Sequence, residues 1–157
     1  VYSARAQAPT LLTFFHAEIP LKRAELVFGQ DKSNIGLSVL NYREVNPTDT
    51  ALPGKVFAIM QINRTNFQNA DVTLAKLRLS VPRAWLTAQN VDPQNLVLYR
   101  FTTGWDALET TVIDATSDPV IIEAVTQHRF SFILNMCALW TAPCASSWSR
   151  WTANEQW

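Results

Sequence analysis

Hydrophobic and polar residues alternate most regularly in the middle of the chain. Ala75, Leu77, Leu79 and Val81 fall on one side, with Lys76, Arg78 and Ser80 on the other. That period of two predicts a half-buried strand. Pro82 ends it, because proline has no N–H for the ladder and its fixed φ suits the first turn of a helix. A short helix over residues 82–89 follows, with Trp85 and Leu86 as its apolar residues, laid over an open end of a sheet. Asn90-Val91-Asp92-Pro93 breaks the helix into a turn, since proline disfavours the helical region for the residue before it. Leu96 to Phe101 is a strand with Val97, Tyr99 and Phe101 on one side and Leu98 and Arg100 on the other. Thr102-Thr103-Gly104-Trp105 predicts a hairpin in which Gly104 takes a positive φ, and residues 106–113 return as one strand.

Similar runs flank this unit. Leu11 to Ile19, Ala24 to Phe28, Ile35 to Glu44, Val56 to Asn63 and Val120 to Thr126 are strand-like, separated by Pro20, by residues 29–34, by the loop 45–55 and by Asp118-Pro119. From Arg129 to Met136 the alternation is strict, with Phe130, Phe132, Leu134 and Met136 on one side. About eight to ten short strands at this spacing, with one short helix, predict an all-β fold, an immunoglobulin-like β-sandwich. Residues 1–15 form an N-terminal arm or first strand, 16–136 the sandwich, and 137–157 a tail rich in Cys and Trp.

The central unit resembles the archaeal surface-protein module called the PGF-pre-PGF domain. The resemblance runs over residues 20–135, through Pro53-Gly54-Lys55, Asn69-Ala70-Asp71, Trp85-Leu86, Val91-Asp92-Pro93, Leu96-Val97-Leu98-Tyr99-Arg100, Gly104-Trp105 and Phe130-Ser131-Phe132. No single motif is specific; their joint order is. The resemblance implies an extracellular, β-rich module of a cell-envelope protein, without catalytic residues. The family module sits ahead of a sorting tail, whereas this chain ends in a Trp-rich segment.

Composition narrows the function classes. Lys+Arg and Asp+Glu are 13 each, so no basic field favours nucleic acid. Charged residues are 17% and hydrophobic ones 48%, a low charge that leaves room for contacts between copies. No apolar run reaches the roughly 18 residues of a transmembrane helix. His16 and His128 stand far apart and outside any metal-ligand spacing, so each reads as a structural histidine. There is no GxSxG elbow, P-loop or GxGxxG, and nothing marks out a catalytic carboxylate pair. No catalytic residue, metal or cofactor is expected.

Four features remain. Cys137 and Cys144 close a short ring if oxidised, the expected state in a surface protein, worth about 2–3 kcal/mol by loop closure; two idle thiols are the alternative. Four of six tryptophans, Trp140, Trp148, Trp151 and Trp157, fall in the tail. Burying each is worth more than about 1.5 kcal/mol, so the tail is expected to cover its own sandwich, dock on a neighbouring copy, or stack on sugar rings. Asn63-Arg64-Thr65 is a sequon, which makes Asn63 a glycosylation candidate. Phe14 and Phe15 are candidates for assembly contacts within the arm. Together these predict a non-enzymatic extracellular subunit of the cell surface, a filament, sheath or surface-layer protein whose partners are copies of itself. The alternative is a carbohydrate-binding adhesin module that presents Trp105, Trp148 and Trp151 to glycans.

Overall fold

The computed structural model describes residues 2–43, 54–127 and 133–138. These form an all-β sandwich of eleven strands and one short helix. The front sheet has six strands, ordered β1 (Tyr2–Ala4), β4 (Lys32–Arg43), β5 (Lys55–Thr65), β11 (Ile133–Ala138), β7 (Leu96–Phe101) and β8 (Trp105–Ala107). The back sheet has five, ordered β2 (Pro9–Thr13), β3 (Leu21–Phe28), β6 (Val72–Val81), β10 (Val120–Gln127) and β9 (Glu109–Asp114). All strand pairs within the two sheets are antiparallel.

β6 is the centre of the back sheet, and its alternation is the one read from the sequence. Ala75, Leu77, Leu79 and Val81 are fully buried in the core, against Leu26 and Phe28 of β3 and Ile122 of β10. Ile35, Met60, Ile62 and Leu98 supply the front sheet's side of the same core. On the solvent side of β6, Lys76 and Arg78 pair across strands with Glu25 (3.8 Å) and Glu123 (2.9 Å). Such half-exposed pairs add little stability and mainly keep this face wet. The front sheet's outer face is different. Ile59 and Tyr99, which alternate with the core residues Met60 and Leu98, are also buried, and Phe101 meets Trp105 there at 5.1 Å.

The two open ends are closed by aromatic residues. At one end α1 (Arg83–Gln89) inserts Leu86 into the core and sets Trp85 edge-on against Phe57 at 5.1 Å. Asn90 ends α1 in the left-handed conformation, its N–H bonding back to the last turn. At the other end Phe67 stands perpendicular to Phe28 at 5.2 Å.

Both lateral sides are closed by one run of chain that pairs first with the front sheet and then with the back. On one side the arm forms β1 beside β4, turns at Gln7 with a φ of 59°, and forms β2 beside β3. Ala6 N–H donates to Asp31 Oδ1 (2.7 Å) and Gln7 N–H to Phe28 O (2.9 Å) at that turn. On the other side β8 pairs with β7, and the chain crosses at Leu108 to become β9 beside β10. Leu108 N–H donates to Leu98 O (2.8 Å), and Thr110 Oγ1 accepts from Leu98 N–H (3.1 Å), which fixes the crossing.

Two sequence expectations need correction here. Residues 106–113 are not one returning strand but two short ones in different sheets. Gly104 does not take a positive φ; among the described residues the left-handed positions are Gln7, Asn34, Asn66, Asn90 and Gly54. Asparagine tolerates that region because its short amide bonds locally, so a chain with four glycines can still make these turns.

Candidate functional site

A polar concavity lies at the Phe67 end. It is a cleft of about 640 Å³ lined by Lys32, Asn63, Arg64, Asn66, Phe67, Gln68 and Asp71. Asn66, at a φ of 62°, turns the chain out of β5, and its amide donates to Asn34 O (2.8 Å). A single 3₁₀ turn, Asn69–Asp71, then leads into β6. Its start is held by the Asp71 carboxylate, which accepts from Gln68 N–H at 2.6 Å and pairs with Lys32 at 2.9 Å. Arg64 reaches along the same wall to Gln68 Oε1 (2.8 Å) and Asn69 Oδ1 (3.3 Å).

The chemistry of this cleft is that of a braced corner. Its cations are engaged by a carboxylate and by amide oxygens, and Phe67 is turned into the core. Among the described residues no three His, Cys, Asp or Glu side chains gather as metal ligands. The backbone N–H of Gln68, and then Lys32, hold the Asp71 carboxyl below the ordinary aspartate range. Because the folded pKa lies below the unfolded one, this carboxylate stabilises the fold above about pH 4, and the gain is lost as pH falls through the folded value. Asp71→Asn is therefore expected to cost about 1 kcal/mol at pH 7. In urea titrations the gap from the parent chain should narrow as pH drops below about 4; an unchanged gap would mean that Asp71 acts by packing alone.

Comparison of the chain with protein-family models, with curated proteins and with solved structures returned no match. The site is therefore read from its own residues.

The structure separates the sequence's candidates. Phe14 packs against the core, and its N–H donates to Lys22 O (2.9 Å), while Phe15 next to it is 89% exposed. Asn63 lies on β5 at the rim of the cleft, half-buried, with Oδ1 accepting from Gln61 Nε2 (3.0 Å). Cys137 belongs to β11, in register with Val56 and Val97, whereas Cys144 lies outside the described residues. Trp140, Trp148, Trp151, Trp157 and His128 also lie outside them, as does the Phe130-Ser131-Phe132 motif. His16 is exposed in the turn after β2, where its carbonyl accepts from Lys22 Nζ (3.0 Å). Trp105 is half-buried against Phe101.

Sequence reasoning missed the cleft and the edges. Lys32 and Asp71 are far apart in the chain, and only the β3–β6 and β4–β5 pairings bring them together. Nor does the alternation of residues show which large apolar side chains the edges leave exposed. Among the described residues these are Tyr2, Leu11, Phe15, Leu40 and Ile113. Three belong to the arm and its turn, and Ile113 belongs to β9 at the opposite side.

Proposed function

We propose that this chain is a non-enzymatic structural subunit of the cell exterior, and that it assembles with copies of itself by strand addition into a filament, sheath or surface layer. One observation carries the reading. The arm forms an edge strand of each sheet, yet of its described residues only Ala4 and Leu12 are buried and Phe14 partly so, while Tyr2, Leu11 and Phe15 are exposed. An edge strand that gives little to its own core and holds apolar side chains outward suits contact with another sheet. The neutral net charge adds no long-range repulsion between copies. The cleft at the Phe67 end, with its paired cations, suits bracing of the fold rather than turnover of a substrate.

Sedimentation of the intact chain over a range of concentrations tests this. Species well above 17.7 kDa that grow with concentration are expected. A 17.7 kDa monomer throughout would contradict self-assembly, and binding of that monomer to a glycan would favour the adhesin reading.

A further inference from the structure

The outer face of the front sheet is apolar where that of the back sheet carries Glu25, Lys76, Arg78 and Glu123. Register sets two rows on it. Ile59 and Tyr99 belong to one, both paired with Asn135 of β11, and Leu40, Gln61, Ile133, Phe101 and Trp105 follow one another along the next. On β5 and β7 these positions alternate with the core residues Met60, Ile62 and Leu98. Gln61 is already engaged, its Oε1 accepting from the Tyr42 O–H (2.6 Å) and its Nε2 donating to Asn63 Oδ1 (3.0 Å). Every described strand lies within one of the two sheets and α1 closes an open end, so no described element is layered on this face. Ile59 is nonetheless 0% exposed and Tyr99 7%, whereas Leu40, farther out on the same face, is 52% exposed. The outer face of an antiparallel sandwich is ordinarily wet, so burial this complete needs a cover over Ile59 and Tyr99.

We infer that this cover is the C-terminal tail of the same chain, residues 139–157, with its tryptophans laid on the patch around Ile59 and Tyr99. The inference goes beyond the assembly reading and does not depend on it. The tail lies outside the described residues and continues directly from β11, which ends at Ala138 between β5 and β7, in register with Lys55 and Leu96. The Asn135 row is three residues back from that point, about 10 Å along the strand. A segment of this length spans up to about 60 Å when extended, so it reaches the whole face. Its composition fits the surface. Trp140, Trp148, Trp151 and Trp157 lie in it, and its charged side chains are Arg150 and Glu155. Tryptophan rings bury about 150–250 Å² each and pair favourably with other aromatic rings, here those of Tyr99, Phe101 and Trp105. The other segments outside the described residues match less well. Residues 44–53 hold Glu44, Asp49, Pro47 and Pro53 and no aromatic residue, and residues 128–132 are taken up in joining β10 of the back sheet to β11 of the front.

The test uses the full chain and two readouts. Trypsin cleavage after Arg150, followed by intact mass, reports whether the tail is seated. Nitration of Tyr99 by tetranitromethane, with the exposed Tyr2 as reference, reports whether the face is covered. In the parent chain cleavage after Arg150 should be slow compared with a synthetic peptide of residues 139–157, and equally slow on dilution. Replacing both Trp148→Ala and Trp151→Ala, which alters no described residue, should speed Tyr99 nitration about 10-fold or more and leave Tyr2 unchanged. Ile59→Ser should speed cleavage after Arg150 to a similar extent. Parent cleavage as fast as the peptide's overturns the inference. Protection that fades on dilution overturns it too, because the cover is then a neighbouring copy's tail. Unchanged cleavage in a folded Ile59→Ser chain, or unchanged Tyr99 nitration in the tail variant, removes the tail from this face. Should Ile59→Ser fail to fold, the tail variant decides alone.

Discussion

Deleting residues 1–13 is expected to yield a folded chain that no longer assembles. The deletion removes β1 and β2, one edge strand from each sheet, and leaves intact the strands that hold most of the core. Of the described side chains that the deletion removes only Ala4 and Leu12 are buried, so the loss is one leucine's burial, a small alanine contribution and the hydrogen bonds of two short ladders. That sums to about 3–5 kcal/mol, a melting temperature lower by roughly 10 °C. The effect on assembly is larger in kind. The exposed Tyr2 and Leu11 are lost with the two edge strands, and sedimentation should show a monomer at concentrations where the parent polymerises. Retained polymers from a folded deletion variant would remove the arm from the account. A variant that fails to fold leaves the deletion uninformative about assembly, and a Phe15→Glu variant, changed at an exposed position, then decides whether the arm takes part in assembly.

Leu77→Ala should cause the largest loss of stability of any single leucine truncation in the back sheet. Leu77 sits mid-way along β6, fully buried, in register with Ala24 on one side and Ala124 on the other. The same row continues from Ala24 to Leu12 and from Ala124 to Thr110, so bulky and small residues alternate across the sheet. With alanine on both flanks, no neighbour on the row can reach into the space that Leu77 leaves. Truncations of this type cost about 2.7–5 kcal/mol, and poor collapse of the site places this one near 4–5 kcal/mol. Urea unfolding should show a lower midpoint with an unchanged slope. A loss below about 1.5 kcal/mol would mean that the core repacks there and that the alternating row is not what fixes it.

The parts of this fold that were legible in the sequence are those decided by neighbours in the chain. β6 follows from strict alternation with charges on the wet side, and β7 from Leu96 to Phe101 was bounded by the Asp92-Pro93 turn before it and the Gly104 turn after it. Residues 83–89 are helical between Pro82 and the left-handed Asn90, as expected. The misses are decided by distant parts of the chain. Nothing in Asp106-Ala107-Leu108-Glu109 marks a change of sheet; Leu108 crosses because β7 and β10 lie in opposite layers. The period of two sets Tyr99 opposite Leu98, yet both are buried, so the front sheet has no fully wet face at that point. From the sequence alone residues 1–15 are an arm or a first strand; their division into an edge for each sheet depends on where β3 and β4 come to lie. The Lys32–Asp71 brace leaves no periodic trace for the same reason, since it joins the first residue of β4 to a 3₁₀ turn.

Electron cryomicroscopy of the assembled chain tests the central claim most directly. The account predicts filaments in which a sheet continues across the subunit boundary, with the edge strands of neighbouring copies about 4.8 Å apart, the spacing of neighbouring strands. Ordered assemblies whose sheets stop at the boundary would contradict strand addition, and a field of single 17.7 kDa particles would contradict assembly itself.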